Sequence, residues 1–279
     1  MIDHLRTRAA ATPLAPALWH RARGQWRGWQ WQDVLSDVAA LAGALALAPG
    51  ERLLLQSAAR PESLIALLAC RWRGAIAIAT PTSAFAHAIV ETAEHADALR
   101  AAGHAGPITL IDPPPGAASP TALSSLATLS GLAALIANAP APSAPIATEP
   151  DTTPHAPPMH GFCQVPPDNP AEFRANAAPL LRDGGTLTFP ERPDTVSTDL
   201  LEARPERFSA TAAQWHALHE RLSAQLPAQR LAWPFAAARL KRHLGLERSR
   251  LRIAHGAPLA PATAAFFARL GLDLTELAP

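Results

Sequence analysis

The chain has 279 residues, which is enough for two modest domains or one large one. Its formal net charge is only +1, from 24 Lys and Arg against 23 Asp and Glu, so no overall field directs it to nucleic acid or to anionic lipid. A hydrophobic fraction of 48% excludes wholesale disorder. The two cysteines, Cys70 and Cys163, exclude a disulfide scaffold and a cysteine-built zinc site, and we expect both to be reduced thiols.

The amino terminus opens on mixed charge and lacks the apolar segment of a secretory signal. The longest Leu-Ala run, Ala39 to Ala48, is followed by Pro49-Gly50 and falls short of the roughly 18 apolar residues that a membrane span needs. We therefore expect a cytoplasmic protein without a membrane span.

The first half alternates helical and strand patterns. Val34, Val38, Leu41 and Leu45 recur at spacings of three and four, which predicts a helix over 31–45 that ends before Pro49-Gly50. Short apolar runs predict buried parallel strands at 52–56, 75–79 and 107–111. Further helices are predicted at 60–71 and near 84–93, the second with its N-cap in Pro81-Thr82-Ser83. This alternation is typical of βαβ units, so we predict an α/β subdomain over 1–112.

Residues 113–158 interrupt the pattern with an Ala/Pro-rich stretch that lacks periodicity. Because proline breaks helices and has no backbone N–H, the composition of this stretch predicts an exposed, largely extended linker. A short helix is predicted at Leu123 to Ile136.

The second half, 159–279, is predicted to be a second α/β subdomain. Helices are expected at 171–182, 211–224, 230–244 and 261–270, and strands at 186–189 and 250–254. The apolar face of the helix over 211–224 carries Trp215, Leu218 and Leu222, and Phe266, Phe267 and Leu270 of the last helix should be buried.

No local motif identifies a catalytic centre. The chain lacks the phosphate-loop, dinucleotide-fingerprint and nucleophile-elbow patterns. His216 and His219 beside Glu220 suggest a metal site, but without a third ligand at suitable spacing a solvated helix face explains them better. We therefore assign no catalytic residue and no metal ligand.

An ordered set of segments resembles the long-chain acyl-CoA synthetases of the AMP-binding, adenylate-forming superfamily. In the first half these are Gly24–Trp31, Pro49–Leu55, Ala59–Glu62, Arg73–Ile76 with Pro81–Ser83, and Glu94–Ala98. In the second half they are Gly184–Phe189, Asp199–Pro205, Ala213–Trp215, Leu244–Leu246, His255–Leu259 and Phe266–Leu272. The resemblance implies a partial adenylate-forming N-terminal domain, with mainly parallel sheets flanked by helices.

The same resemblance indicates what is missing. Family members activate a fatty acid with ATP and pass the acyl group to coenzyme A, using a Ser/Thr/Gly-rich phosphate loop where this chain has the tract 113–158. Prolines there offer no N–H to an oxyanion. The family's Tyr-Gly-x-Thr/Ser-Glu segment and its small domain with the catalytic lysine would follow residue 279. We therefore expect a truncated, noncatalytic relative, since such residues act as a unit.

Five positions are carried over from the family as candidate binding residues. Gly256, Ala257 and Pro258 match the turn that lies against adenine, and a plain strand-to-helix turn is the alternative. His160 matches the histidine that borders the acyl tunnel, and an ordinary loop histidine is the alternative. Trp215 matches a position beside the acyl channel, and the alternative is a core residue, which a tryptophan on the apolar face of a helix usually is.

The sequence is compatible with three functions. The first is a noncatalytic domain that binds a fatty acyl or nucleotide ligand (AMP or ATP by resemblance) or regulates a partner in fatty-acyl biosynthesis. The second is one half of a split fatty-acid–CoA ligase, and the third is a structural interaction module without a ligand. A protein partner or a homo-oligomer is expected, and nucleic acid is not.

Overall fold

The computed structural model describes residues 1–81, 84–111, 129–137, 139, 157–224 and 233–277. The chain divides into two compact units. Unit 1 consists of Met1–Ala15 with Trp29–Thr153, and unit 2 consists of Pro16–Gly28 with Pro154–Pro279. An early segment of the chain therefore folds with the carboxyl-terminal half, a pairing that no local sequence pattern indicates.

Unit 1 is built on a parallel sheet flanked by helices. Its strands are β3 (Arg52–Gln56), β4 (Ile76–Ile78), β5 (His87–Val90), β6 (Ile108–Leu110) and β7 (Leu129–Gly131), in the spatial order β4-β3-β5-β6-β7. Every neighbouring pair is parallel. Its helices are α1 (Ile2–Ala11), α2 (Trp31–Leu45), α3 (Pro61–Trp72), α4 (Ala93–Ala101) and α5 (Leu132–Ala137).

Helix α2 has the predicted bounds, and its four predicted apolar residues are buried. The helix begins with a reciprocal capping box between Gln30 and Asp33. Helix α3 begins at Pro61, where the missing N–H leaves no hydrogen bond unmade. These elements confirm the βαβ prediction for the first half.

The helix predicted near 84–93 is wrong, because strand β5 lies there. His87 to Val90 pair with β3 on one side and β6 on the other, and His87 Nε2 forms a buried hydrogen bond with Thr109 Oγ1 at 2.8 Å. The alanines before β5 suggest a helix, but the β-branched residues Ile89 and Val90 fill the middle of the sheet. Tertiary packing therefore overrides local propensity. The N-cap predicted at Thr82-Ser83 lies outside the described residues.

Most of the predicted linker 113–158 lies outside the described residues, and so does the start of the helix predicted at Leu123 to Ile136. Residues 129–137 are described. They form β7, which continues the sheet beside β6, and α5. The Ala/Pro-rich interval therefore contributes an edge strand to unit 1.

One acid in unit 1 makes stability depend on pH. Burial, followed by the charges of Asp33 and Glu62, raises the pKa of Asp37 to about 6 from 3.8. A carboxyl group whose pKa is higher in the folded than in the unfolded state favours folding at low pH, and this contribution is lost as the pH rises from 3.8 through about 6. Ionised Asp37 therefore destabilises the fold above that range.

We expect Asp37→Asn to stabilise unit 1 by about 1 kcal/mol at pH 8, after allowing for screening by solvent, and to change little at pH 4. Thermal unfolding at both pH values measures this. Asp97→Asn, on the exposed side of α4, removes the same charge and serves as the control. An equal gain in melting temperature at both pH values would contradict the assignment.

Unit 2 contains a seven-stranded sheet. Its strands are β1 (Pro16–Ala22), β2 (Gln25–Gln30), β8 (Met159–Phe162), β9 (Gly185–Phe189), β10 (Arg207–Thr211), β11 (Leu251–His255) and β12 (Thr275–Glu276), in the spatial order β12-β11-β10-β8-β9-β1-β2. The five strands from β8 to β12 are parallel, and β1 joins parallel to β9. Strands β1 and β2 form a hairpin whose two turn residues, Arg23 and Gly24, both have positive φ.

The helices of unit 2 are α6 (Pro170–Glu172), α7 (Ala178–Asp183), α8 (Val196–Ala203), α9 (Ala212–Ser223), α10 (Trp233–His243) and α11 (Pro261–Arg269). A continuous apolar core includes residues of β8, β10 and β11 and of helices α8 to α11. Phe266, Phe267 and Leu270 are buried in it, as predicted.

The helix predicted at 171–182 is irregular. A π-helical turn over Phe173–Ala177 separates α6 from α7. Such turns insert one extra residue into a helix and are frequent at functional sites. Here the turn carries Asn176 into a buried polar cluster, described below.

No helix in the described parts of the chain is long and apolar enough to cross a membrane.

Candidate functional site

The strand order of unit 2 reverses between two adjacent strands. The chain leaves β8 for β9 on one side, then returns to β10 on the other side and continues outward to β11. In open parallel sheets, ligands bind beside the carboxyl ends of the strands at such a switch point. Residues Cys163 and Gln164, which follow β8, and Thr211, at the end of β10, lie there.

A fully buried polar cluster lies on one face of the sheet next to this point. Glu172, at the end of α6, is the acceptor for three side chains. Ser209 Oγ and His255 Nε2 both lie 2.8 Å from Glu172 Oε2, and Asn176 Nδ2 donates to Glu172 Oε1 at 2.6 Å. Each of the four side chains is at most 1% exposed. The cluster joins the π-helical turn to β10 and β11.

The thiol of Cys163 adjoins the same cluster. Burial, and next the Glu172 carboxyl group, raise the pKa of Cys163 well above its ordinary value. The thiol donates to the carbonyl oxygen of Val165 at 3.2 Å. A protonated, buried thiol is a poor nucleophile, so Cys163 is unsuited to covalent catalysis. Cys70, whose pKa burial raises to about 12, is equally unreactive.

The other face of the sheet bounds a cavity of about 700 Å³. Its apolar wall comes from β10, α8, α9 and the residues that follow α10, and it includes Leu200, Phe208, Ala210, Trp215, Leu218, Leu222, Leu244 and Leu246. Polar side chains are few: Gln164, Ser197, Gln214, Arg221 and His243. A largely apolar cavity with a few polar groups is typical of small-molecule sites, whose volumes span roughly 300–1,000 Å³.

Trp215 belongs both to the core and to the cavity wall. Its side chain is fully buried, and its indole N–H donates to the carbonyl oxygen of Ile253 at 3.0 Å. Phe208 and Phe267 contact it edge to face, with ring centroids 5.4 and 4.9 Å away. These contacts fix the ring, so Trp215 supports the cavity wall as a rigid part of the core.

Gly256, Ala257 and Pro258 form an exposed turn at the carboxyl end of β11. Gly256 has a φ of +86°, and a Cβ added there would meet no atom of the described residues within 4 Å. The backbone is therefore open to a ligand on that side. The next residue, Leu259, donates its N–H to Glu276 Oε2 at 3.2 Å, which ties the turn to β12.

His160 lies near the opposite end of the sheet. Gly161 pairs with Arg207, so His160 precedes the level at which β10 begins. At about 3.3 Å per residue, His160 is roughly 20 Å along the strand direction from Gly256. Its Nε2 is 2.6 Å from Thr188 Oγ1, and burial lowers its pKa against the opposing effect of Glu206. His160 does not line the cavity, and the structure does not bring it together with the 256–258 turn.

The histidine pair on α9 contacts a buried threonine of α11. His216 Nδ1 and His219 Nδ1 lie 3.2 and 3.1 Å from Thr263 Oγ1, and Glu220 is 3.5 Å from His216 Nε2. Within the described residues, no group of three His, Cys, Asp or Glu is placed to hold a metal ion. The pair therefore links two helices.

Sequence reasoning missed the buried cluster entirely. Glu172 and Asn176 are four residues apart in a predicted helix, a spacing that places both on one face. His255 directly precedes the Gly-Ala-Pro turn. These two signals are present in the sequence, but only the pairing of β8, β10 and β11 shows that the residues meet.

No family model matches the chain, and no curated protein matches it. Solved structures do match. The adenylation domain of a carboxylate reductase from Mycobacterium chelonae is 16% identical, with a TM-score of 0.76 over 99% of this chain and 56% of that one. An acyl-CoA synthetase from Brucella canis is 15% identical, with a TM-score of 0.68 over 94% and 54%. A benzoate CoA ligase from Burkholderia xenovorans is 15% identical, with a TM-score of 0.70 over 99% and 60%.

These similarities cover nearly all of this chain, whereas the chain spans between 54% and 60% of the length of the three structures. The mainly parallel sheets with flanking helices match in all three. At such identities the likeness concerns the fold. This chain has the α/β fold found in part of the adenylate-forming enzymes.

Proposed function

We propose that the chain is a ligand-binding domain of the acyl-CoA synthetase type, that it takes a fatty acyl ligand in the cavity of unit 2, and that it does not form adenylates by itself. The cavity carries the proposal. Its wall of leucines, phenylalanine and tryptophan suits an alkyl chain, and Arg221 and His243 supply cationic or hydrogen-bonding partners for a carboxylate.

Two further observations support the noncatalytic part. The interval 113–158, where the resembling enzymes have their phosphate loop, is rich in proline, which has no N–H for a phosphate oxygen. Cys163 is buried and protonated, so it offers no alternative nucleophile. Regulation of a partner in fatty-acyl biosynthesis, in the cytoplasm, is the role that such a domain would fill.

The test is palmitate binding, measured by displacement of a fluorescent fatty-acid analogue. Ala217 lines the cavity and is exposed, so Ala217→Trp places an indole in the opening. We expect this variant to bind palmitate at least about tenfold more weakly than the parent chain. Ala213→Trp, also exposed and one turn earlier on α9 but outside the cavity lining, should bind as the parent does.

Three outcomes would contradict all or part of the proposal. Equal palmitate affinity in both tryptophan variants would remove the cavity as the site. Release of pyrophosphate from ATP in the presence of palmitate would overturn the noncatalytic part and favour a ligase, alone or as half of a split enzyme. If palmitate, palmitoyl-CoA and AMP all fail to bind at concentrations far above plausible dissociation constants, the remaining function is that of a structural interaction module without a ligand.

A nucleotide at the 256–258 turn is the second candidate. The open side of Gly256 favours it, since no atom of the described residues lies within 4 Å of a Cβ built there. Titration of the same protein with AMP tests this site separately from the acyl cavity, because Ala217→Trp should leave AMP binding unchanged.

A further inference from the structure

Helix α10 has two different faces. Ala237 and Leu240 are buried in the core of unit 2. On the opposite side, Phe235, Arg239 and Arg242 follow at spacings of four and three, which places them in one stripe about 10 Å long. All three residues are exposed. Phe235 is 82% exposed, a larger fraction than that of any other large hydrophobic residue among the described residues.

The cations of this helix lack carboxylate partners. Within the described residues, neither Arg239 nor Arg242 forms an ion pair, and Lys241 on the same helix forms none. Several other arginines of unit 2 form ion pairs with carboxylates: Arg21 with Asp199 and Glu202, Arg192 with Asp194, Arg204 with Glu247, and Arg250 with Glu206. The stripe therefore presents uncompensated positive charge around an aromatic ring.

The local charge is far from that of the whole chain. Residues 233–250 contain five Lys and Arg and one Glu, a net charge of +4, against +1 for all 279 residues. The remaining residues therefore carry a net charge of −3. Averaging over the chain conceals a basic surface on α10 and the residues that follow it.

We propose that the Phe235–Arg239–Arg242 stripe docks on an anionic lipid bilayer. The guanidinium groups meet the phosphates and carboxylates of the headgroups, and the Phe235 ring enters the apolar boundary below them. A bilayer accepts one protruding aromatic side chain anywhere on its surface, whereas a protein partner would need a matching pocket. Because α10 also contributes His243 to the cavity, docking brings the proposed acyl site close to a lipid surface.

Cosedimentation with vesicles tests the surface. The full chain should bind vesicles of phosphatidylglycerol and phosphatidylcholine mixed in equal parts, and should bind pure phosphatidylcholine vesicles at least about 30-fold more weakly. Binding to the mixed vesicles should weaken with added salt. The variant Arg239→Glu/Arg242→Glu should lose at least about 30-fold in partition coefficient, and Phe235→Ala about tenfold.

The control is Arg6→Glu/Arg27→Glu. Both residues are exposed and form no ion pair within the described chain, so the variant changes the net charge by the same amount elsewhere. It should bind the mixed vesicles within about threefold of the parent. Circular dichroism of each variant establishes that it is folded.

Depth of insertion gives an independent readout. Both natural cysteines are buried, so Ala238→Cys, at an exposed position of α10 beside the stripe, introduces one accessible thiol for an environment-sensitive dye and leaves Phe235 in place. Its emission should shift to the blue with the mixed vesicles and stay constant with pure phosphatidylcholine.

Equal loss in the control and stripe variants would overturn the proposal, and so would an unshifted dye. Tighter binding to a single-stranded oligonucleotide or to polyglutamate than to the mixed vesicles would assign the stripe to another anionic partner. None of the three stripe residues lines the cavity, so failure here and failure of palmitate binding are distinguishable.

Discussion

Replacing Glu172 by leucine is expected to lower the free energy of unfolding of unit 2 by about 3–5 kcal/mol. The substitution removes the acceptor of Ser209 Oγ and the partner of His255 Nε2, and both side chains stay buried, whereas Asn176 Nδ2 keeps the carbonyl oxygen of Phe162 and Ser209 Oγ as acceptors. A buried donor without a partner costs about 1–3 kcal/mol. Urea-induced unfolding measures the loss, and hydrogen exchange at β10 and β11 locates it within unit 2.

Glu172→Gln is the matched conservative change and should lose only about 1–2 kcal/mol. Its amide oxygen still accepts from two donors, and the Asn176 side chain can rotate to offer Oδ1, which has no partner in the native cluster. Glu220→Gln on the exposed side of α9 should change stability by less than about 0.5 kcal/mol. A Glu172→Leu protein as stable as Glu172→Gln would show that the cluster holds nothing together.

Much of the fold of each unit is predictable because its signals are local. Helix α2 follows from the spacing of Val34, Val38, Leu41 and Leu45, and α3 from Pro61 at its start. These patterns need only one buried face and one helix start. Strand β5 escapes prediction because its pairing with β3 and β6 decides it, whereas the alanines before it favour a helix. The place of β1 escapes prediction because its parallel partner, β9, lies in the other half of the chain.

The candidate site is less predictable for the same reason. The family resemblance points to Trp215 as a binding residue, and the structure places it in the cavity wall as well as in the core. The resemblance assigns His160 to an acyl tunnel and the 256–258 turn to an adenine site, and the structure places these residues near opposite ends of the sheet. Sequence order carries no information on strand order, and the switch point between β8 and β10 exists only once β9 has paired on the far side of β8.

The net charge of +1 illustrates a limit of composition. It excludes a strong overall field, and that conclusion holds for long-range attraction. The net charge does not exclude a local basic surface, because ionic screening confines electrostatic attraction to about 8–10 Å. The helix α10 itself contains three Lys and Arg and no Asp or Glu, so the charge that a partner meets on its surface differs from the average of the chain.

Gly185→Ala is expected to destabilise unit 2 by at least about 3 kcal/mol, and Gly256→Ala by only about 1–2 kcal/mol. Both glycines have positive φ, +100° and +86°, so both variants strain the backbone. The two sites differ in the room for a Cβ. A Cβ on Gly185 would collide with the carbonyl oxygen of Met159 and lie 2.8 Å from its nitrogen, whereas a Cβ on Gly256 would have no atom of the described residues within 4 Å.

The collision at Gly185 involves backbone, which cannot move aside as a side chain can. Met159 is the residue of β8 that pairs with Gly185, so Gly185→Ala must separate β8 from β9 at the point where both strands begin. Urea unfolding of the two variants isolates this contact, because their backbone strain is similar. Equal losses would mean that strand pairing tolerates the shift. A larger loss for Gly185→Ala, with faster hydrogen exchange along β8 and β9, would identify this close approach as the feature that fixes the register of the sheet under the candidate site.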